Sequence, residues 1–200
     1  MQPKPRSYTV EEYLALDEAA PQGVRLEYWD GYLYLRGQPF DLEWGWQAAL
    51  AMAGATARHN DITGNLYFSL RSRLGNRCHL YTSDMAVGLA GGRYVYPDLT
   101  IACGKRTFLD EGERILTNPT ILVEVLSPSS RARDKDEKLS AYVQIDSLQD
   151  YWIVEQDSPT ITRYIRQGNQ WVLRIEGGRD TLIGSDHLSV EIPLNEIYPA

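Results

Sequence analysis

Pro97-Asp98 closes a β-rich stretch, and Glu124 is the one acid inside the apolar run Thr120-Ile-Leu-Val-Glu-Val-Leu126. That run is short, continuous, β-branched and bounded by Pro119 and Pro128, the pattern of a buried central strand. A carboxylate in such a strand is costly unless it is paired, hydrogen-bonded or bound to a cation. A second acid on a neighbouring strand, at Asp98, would supply two oxygen ligands for a hard divalent ion. Such a pair would serve phosphodiester cleavage. Asp98 has a plain structural alternative as a solvated turn cap where a strand resumes after proline. A buried central-strand glutamate has no cheap structural use, and the main alternative for Glu124 is a buried ion pair with an arginine.

After Glu124 the chain is strongly charged. Asp134, Lys138 and Tyr142 recur at i, i+4 and i+8 and so share one helical face. Lys138 would then stand over the end of the Glu124 strand, where its ammonium could orient an attacking water or oppose charge on a phosphate. The alternative is a surface ion pair worth a few tenths of a kcal/mol, roughly, with an aromatic packed beneath it. Arg58, Arg131, Arg133 and Lys135 are the basic residues expected near that end of the sheet, where they could contact a phosphate backbone.

These groups need elements to hold them. Thr9 with Glu12 forms a capping box for a helix reaching about Glu18, before Pro21-Gln-Gly23. Asp30-Gly31 between 24–29 and 32–35 is a strong hairpin signal. Glu27 lies in its first strand with Arg25 and Trp29 on the same face and Leu26 and Tyr28 on the other. Residues 38–54 fit either a short helix or an inserted segment. Ile62, Leu66, Leu70 and Leu74 make the apolar stripe of a helix that His59 opens. Strands are expected over 78–87 and 93–102, then a polar loop over 104–118, the strand 120–126, a helix over 133–145 and a strand at 151–154. Meander-like strands follow around 160–165, 170–175, 181–183 and 189–192. The mixture is α+β around a central mixed sheet.

Bulk properties narrow the classes. Two hundred residues suffice for one domain, and 24% charged with 43% hydrophobic residues is ordinary for a globular chain. The net charge of −7 argues against a dedicated electrostatic nucleic-acid binder, though not against an acidic enzyme whose bases line the approach. No apolar run approaches the roughly 20 residues of a membrane helix, and no apolar segment follows the basic N-terminus, so no membrane partner and a cytoplasmic location are expected. Cys78 and Cys103 lack C-x-x-C spacing and are expected as buried free thiols, ahead of a disulfide or metal pair. His59, His79 and His187 show no zinc spacing.

In order along nearly the whole chain, several segments resemble the Uma-type restriction endonuclease family, a bacterial group with the PD-(D/E)XK nuclease fold. They are Tyr8-Thr-Val-Glu-Glu-Tyr-Leu14, Arg25-Leu-Glu-Tyr-Trp-Asp-Gly31, Met52-Ala-Gly-Ala, His59 and Tyr96-Pro-Asp98. Next come Asn118-Pro-Thr-Ile-Leu-Val-Glu-Val-Leu-Ser-Pro128, then Asp134, Lys138 and Tyr142, Tyr151-Trp-Ile-Val, and Asn195-Glu-Ile-Tyr198. The resemblance implies a restriction-endonuclease-like sheet flanked by helices, with Asp98 and Glu124 as ligands of Mg²⁺ (Mn²⁺ as substitute). It implies water attack on phosphorus with metal-assisted charge stabilisation. The superfamily pattern places lysine two residues after the second acid. Here that position is Leu126, and the lysine has moved to Lys138, which leaves the general base unassigned. The family motif also places an acid at Glu27, as a direct or water-mediated metal contact; a solvated hairpin glutamate is the alternative. His59, Asp134 and Tyr142 are accessory candidates, His59 also being readable as a cap or hydrogen-bonding residue. Residues 37–50 are longer than the family's usual link and form a candidate insertion in a single nuclease-like domain spanning 1–200. The expected activity is hydrolysis of DNA phosphodiesters. A homodimer is expected because two cuts across a duplex need two sites. The rival expectation is a nuclease scaffold kept as a binding or assembly module. A glycosidase would need two acids flanking a sugar cleft, and nothing else in the chain supports it.

Overall fold

The computed structural model describes residues 6–127 and 131–198. Pro128 of the Ser-Pro motif, the two serines after it and the basic N-terminal segment 1–5 lie outside the described residues. The first helix, α1 (Val10–Ala19), starts as the capping box predicts: the Glu12 amide donates to Thr9 Oγ1 at 3.2 Å, and the Thr9 amide to Glu12 Oε2 at 2.8 Å. Strands β1 (Glu27–Trp29) and β2 (Tyr32–Leu35) meet at Asp30-Gly31, both with positive φ, as a tight hairpin turn requires. Arg36-Gly37 repeats that geometry into β3 (Gln38–Phe40), followed by a 3₁₀ turn (Leu42–Trp44) and α2 (Gly45–Met52). The undecided segment is therefore a third hairpin strand plus a short helix. Helix α3 (Ala57–Leu74) starts two residues ahead of His59, with Thr56 as its N-cap, and buries the predicted stripe.

Strands β4 (Cys78–Thr82), β5 (Ala86–Leu89), β6 (Arg93–Val95) and β7 (Leu99–Cys103) follow. The expected loop 104–118 contains a short strand, β8 (Ile115–Leu116), parallel to β5. Strand β9 (Ile121–Val125) carries Glu124. After it come β10 (Asp150–Val154), β11 (Thr160–Gln167), β12 (Gln170–Gly177), β13 (Leu182–Ser185), β14 (Val190–Pro193) and a closing helical turn (Leu194–Ile197).

Among the described residues two six-stranded sheets form, with orders β3-β2-β1-β6-β5-β8 and β12-β11-β10-β9-β7-β4, besides the β13–β14 pair. The second sheet is mixed: β9 and β10 run parallel, Glu124 opposite Ile153, and the other neighbours are antiparallel. Alternation along β9 assigns its faces. Ile121, Val123 and Val125 pack with α3 and β14, while Leu122 and Leu126 pack with Trp29, Val95 and Tyr142. Glu124 shares the latter face, so it points toward the other sheet.

Between β9 and β10, among the described residues, a helical segment runs from Arg131 to Tyr142, against the expected 133–145. Its middle turn, Asp134–Lys138, is π-helical between Arg131–Arg133 and Leu139–Tyr142. Such widened turns recur at functional sites because they re-aim consecutive side chains. Cys78 and Cys103 depart from expectation: they are joined as a disulfide. The register of β4 on β7 sets these residues directly opposite, with Cα atoms 4.1 Å apart. Sequence spacing does not display that register.

Candidate active site

Glu124 is 4% exposed, as is Lys138, and the two meet at 2.9 Å through Glu124 Oε1. Tyr142 donates its hydroxyl to the same oxygen at 2.9 Å. Lys138 Nζ is also 2.9 Å from Glu27 Oε1 and 3.3 Å from Asp134 Oδ1, so one ammonium serves three carboxylates. The second Glu27 oxygen takes the Arg133 guanidinium, which in turn stacks on Tyr34 with 3.9 Å to the ring centroid and lies over Trp29. The Tyr96 amide donates to Glu27 Oε1 at 3.3 Å. Tyr151 holds the helix in place by donating to the Asp134 carbonyl at 3.1 Å.

Asp98 enters from the start of β7. Its Oδ2 accepts from the Val125 amide at 2.8 Å, and its Oδ1 lies 3.1 Å from His59 Nε2. A carboxylate oxygen accepts, so Nε2 is the donor in this contact. Gln156 presents its amide nitrogen to Nδ1 at 3.5 Å and bonds the Leu126 carbonyl. His59 thus orients Asp98 and is itself steadied by Gln156. Asp98, Glu124, Glu27, Lys138 and His59 line one cleft of about 280 Å³.

Charge in this space is unequal. Four carboxylates (Glu27, Asp98, Glu124 and Asp134) face two fixed cations, Lys138 and Arg133, leaving two negative charges in surplus when all are ionised. Acidities divide accordingly. Burial works to raise Glu27, but Lys138 and Arg133 outweigh it and hold that carboxyl down at about 2. Burial raises Glu124 well above the ordinary carboxylate range against the pull of Lys138, with Asp134, Asp98 and Glu27 adding to the rise. Burial alone would lower Lys138, yet Glu124, Glu27 and Asp134 raise it well above its usual value, so it stays cationic. Tyr142 is likewise raised, chiefly by burial, and remains a hydroxyl donor.

The expected basic contacts do not gather at the cleft. Arg131 and Lys135 pair with Glu155 at 2.8 and 3.1 Å, and Arg58 donates to the Gln156 carbonyl. Arg133 is buried on Glu27. In the sequence Tyr96 stands out only as part of the Tyr96-Pro-Asp98 segment and not as a site residue, and nothing local points to Gln156.

A model of the Uma2 family, described as putative restriction endonuclease, matches residues 37–195. The chain belongs to this family. Among similar proteins are two from Synechocystis sp. (strain ATCC 27184 / PCC 6803 / Kazusa), named Uncharacterized protein sll1609 and Uncharacterized protein slr1290. The first is 35% identical over 127 residues, 62% of this chain and 72% of that protein. The second is 30% identical over 166 residues, 82% and 77% of the two chains. The crystal structure of a putative nuclease belonging to DUF820 from Anabaena variabilis superposes with a TM-score of 0.71, covering 95% of this chain and 97% of that one, at 16% identity. That likeness is one of fold. Membership of Uma2 and the shared mixed α+β architecture support a nuclease kind of function for the chain. No helix among the described residues is long and apolar enough to cross a membrane.

Among the described residues no three His, Cys, Asp or Glu side chains converge as a ready-made cation cage. The donor set still suits Mg²⁺, which keeps several waters and takes only one or two carboxylates from the protein. Asp98 and Glu124, hard oxygen donors lining the same cleft, are the two carboxylates that would hold such an ion.

Proposed function

We propose that this Uma2 protein hydrolyses DNA phosphodiester bonds as a Mg²⁺-dependent endonuclease, with Asp98 and Glu124 as the metal ligands. The observation that carries the reading is that two acids from adjacent strands, Asp98 and Glu124, line one cleft together with Lys138 and His59. A divalent cation held there would supply Lewis-acid stabilisation of charge on the phosphate. The residues divide the remaining work. His59 and the Val125 amide fix the Asp98 carboxylate. Lys138 and Tyr142 both engage Oε1 of Glu124, so Oε2 would be the atom offered to a cation. Lys138, held cationic by three carboxylates, is a fixed positive charge and not a proton acceptor. Glu27 keeps Lys138 and Arg133 in place, and Asp134 adds negative charge behind Lys138.

The test is cleavage of supercoiled plasmid and of short single- and double-stranded DNA in Mg²⁺, Mn²⁺ or a chelator. Cleavage that needs the cation and disappears in a folded Glu124→Gln variant supports the reading. Cation-independent cleavage, or a Glu124→Gln variant of native activity, overturns the site. A binding or assembly scaffold is the second reading. It is favoured by one observation, that Lys138 is engaged by three carboxylates of the protein itself. It gains the field if DNA is bound and no substrate is cut with any cation.

A further inference from the structure

A phosphodiester reaching Asp98 and Glu124 must approach a cluster of acids in a chain of net charge −7, so positive charge is needed at the cleft entrance. None of Arg58, Arg131, Arg133 and Lys135 is among the lining residues, whereas Arg25, Arg36 and Asp84 are. Arg25 leads into β1, Arg36 opens the β2–β3 turn, and Asp84 lies between β4 and β5. Arg36 is anchored by its Nε donating to the Ala53 carbonyl at 2.9 Å. Arg25 Nη2 lies 2.8 Å from Asp84 Oδ1. The Asp84 side chain is 71% exposed, and an ion pair so open to water is weakly held. Guanidinium forks donate to carboxylate and to phosphate oxygens in the same bidentate geometry. A phosphate can therefore replace the Asp84 carboxylate on Arg25 at small cost.

Resting on the nuclease reading above, we infer that Arg25 and Arg36 grip the nucleic-acid backbone at the cleft mouth, and that Asp84 occupies Arg25 as an internal stand-in for a phosphate. The arrangement disfavours weak anionic ligands, which must displace Asp84. It admits a polyanionic strand that reaches both arginines at once. Removing Asp84 should strengthen binding even though it lies on the same wall.

The experiment is fluorescence polarisation with a labelled short DNA duplex in chelator, so that no cleavage intervenes, over a range of salt concentrations. Native protein is compared with Arg25→Ala, Arg36→Ala, their combination, Arg25→Lys, Asp84→Asn and Arg114→Ala, each checked for a native thermal melt. Arg114 is an equal charge elsewhere, paired with Asp110 and Glu18. Arg25→Ala and Arg36→Ala should each weaken binding about tenfold and reduce the salt slope by about 1, and their combination by about 2. Arg25→Lys should recover only part of the loss, Asp84→Asn should bind several-fold tighter, and Arg114→Ala should bind as the native protein does. Native binding with no loss in the double variant, an equal loss in Arg114→Ala, or weaker binding by Asp84→Asn overturns this assignment and leaves the nuclease reading standing. No binding of the duplex or of a labelled single strand by the native protein overturns this assignment, while the nuclease reading stands or falls on the cleavage assay.

Discussion

Glu124 and Lys138 meet at 2.9 Å in a space almost closed to water, although one lies on a central strand and the other on the helix that follows it. Because Lys138 also reaches Glu27, that single ammonium joins β9 of one sheet to β1 of the other. The junction is both a fold element and the floor of the cleft.

Removing its cation should therefore be expensive. Lys138→Met leaves three carboxylates around an apolar group, and breaking a buried pair from one side costs about 3–5 kcal/mol. Urea denaturation at neutral pH should show that loss, and a smaller one in acid, where the carboxyls protonate. A loss below about 1 kcal/mol at neutral pH would mean the cluster is better hydrated than its burial indicates.

Glu27 sets an acid limb on stability. Its folded value of about 2 lies below the unfolded value of 4.5, so its contribution is full above 4.5 and is lost as pH falls through 4.5 toward 2. The gap corresponds to on the order of 3 kcal/mol. Denaturation between neutral pH and pH 2 should show this loss, and Glu27→Gln should flatten the limb while lowering stability at pH 7. An unchanged limb in that variant would assign acid sensitivity elsewhere.

His59 acts through Asp98. Groups that orient metal ligands typically change metal affinity about 10–100-fold. Calorimetry of Mn²⁺ binding to His59→Ala should show a loss in that range with the fold intact. His59→Gln, whose amide can still donate to Asp98, should recover part of it. Equal affinity in both variants and the native protein would remove His59 from the site.

The disulfide of Cys78 and Cys103 closes a loop of sequence separation 25 between β4 and β7. Loop-closure entropy for that length gives about 3 kcal/mol. Reduction, or Cys78→Ser with Cys103→Ser, should lower stability by that order in denaturant titrations. An unchanged midpoint would show that the pair is not bonded in the folded protein.

Much of this site was legible in the chain because it depends on local pattern. Glu124 in an unbroken apolar run announces a buried acid, and Asp30-Gly31 and the Thr9–Glu12 box announce the hairpin and α1. What was hidden depends on meetings between distant segments. Cys78 faces Cys103 only through the register of β4 on β7. Arg133 looks like a surface base among charged neighbours, yet the π-helical turn after it accompanies an inward aim onto Glu27. Gln156 supports His59 from beyond β10, a contact no periodicity encodes. Arg25 and Asp84 lie on separate hairpins, and only the fold brings them to one wall.

The central claim is that Asp98 and Glu124 hold a divalent cation. Calorimetric titration of Mn²⁺ into the native protein and into Asp98→Ala tests it without a substrate. Saturable binding at one site in the native protein, absent from the variant at equal thermal stability, is the predicted result. Binding that persists in Asp98→Ala, or no binding by the native protein with or without a DNA duplex present, would contradict it.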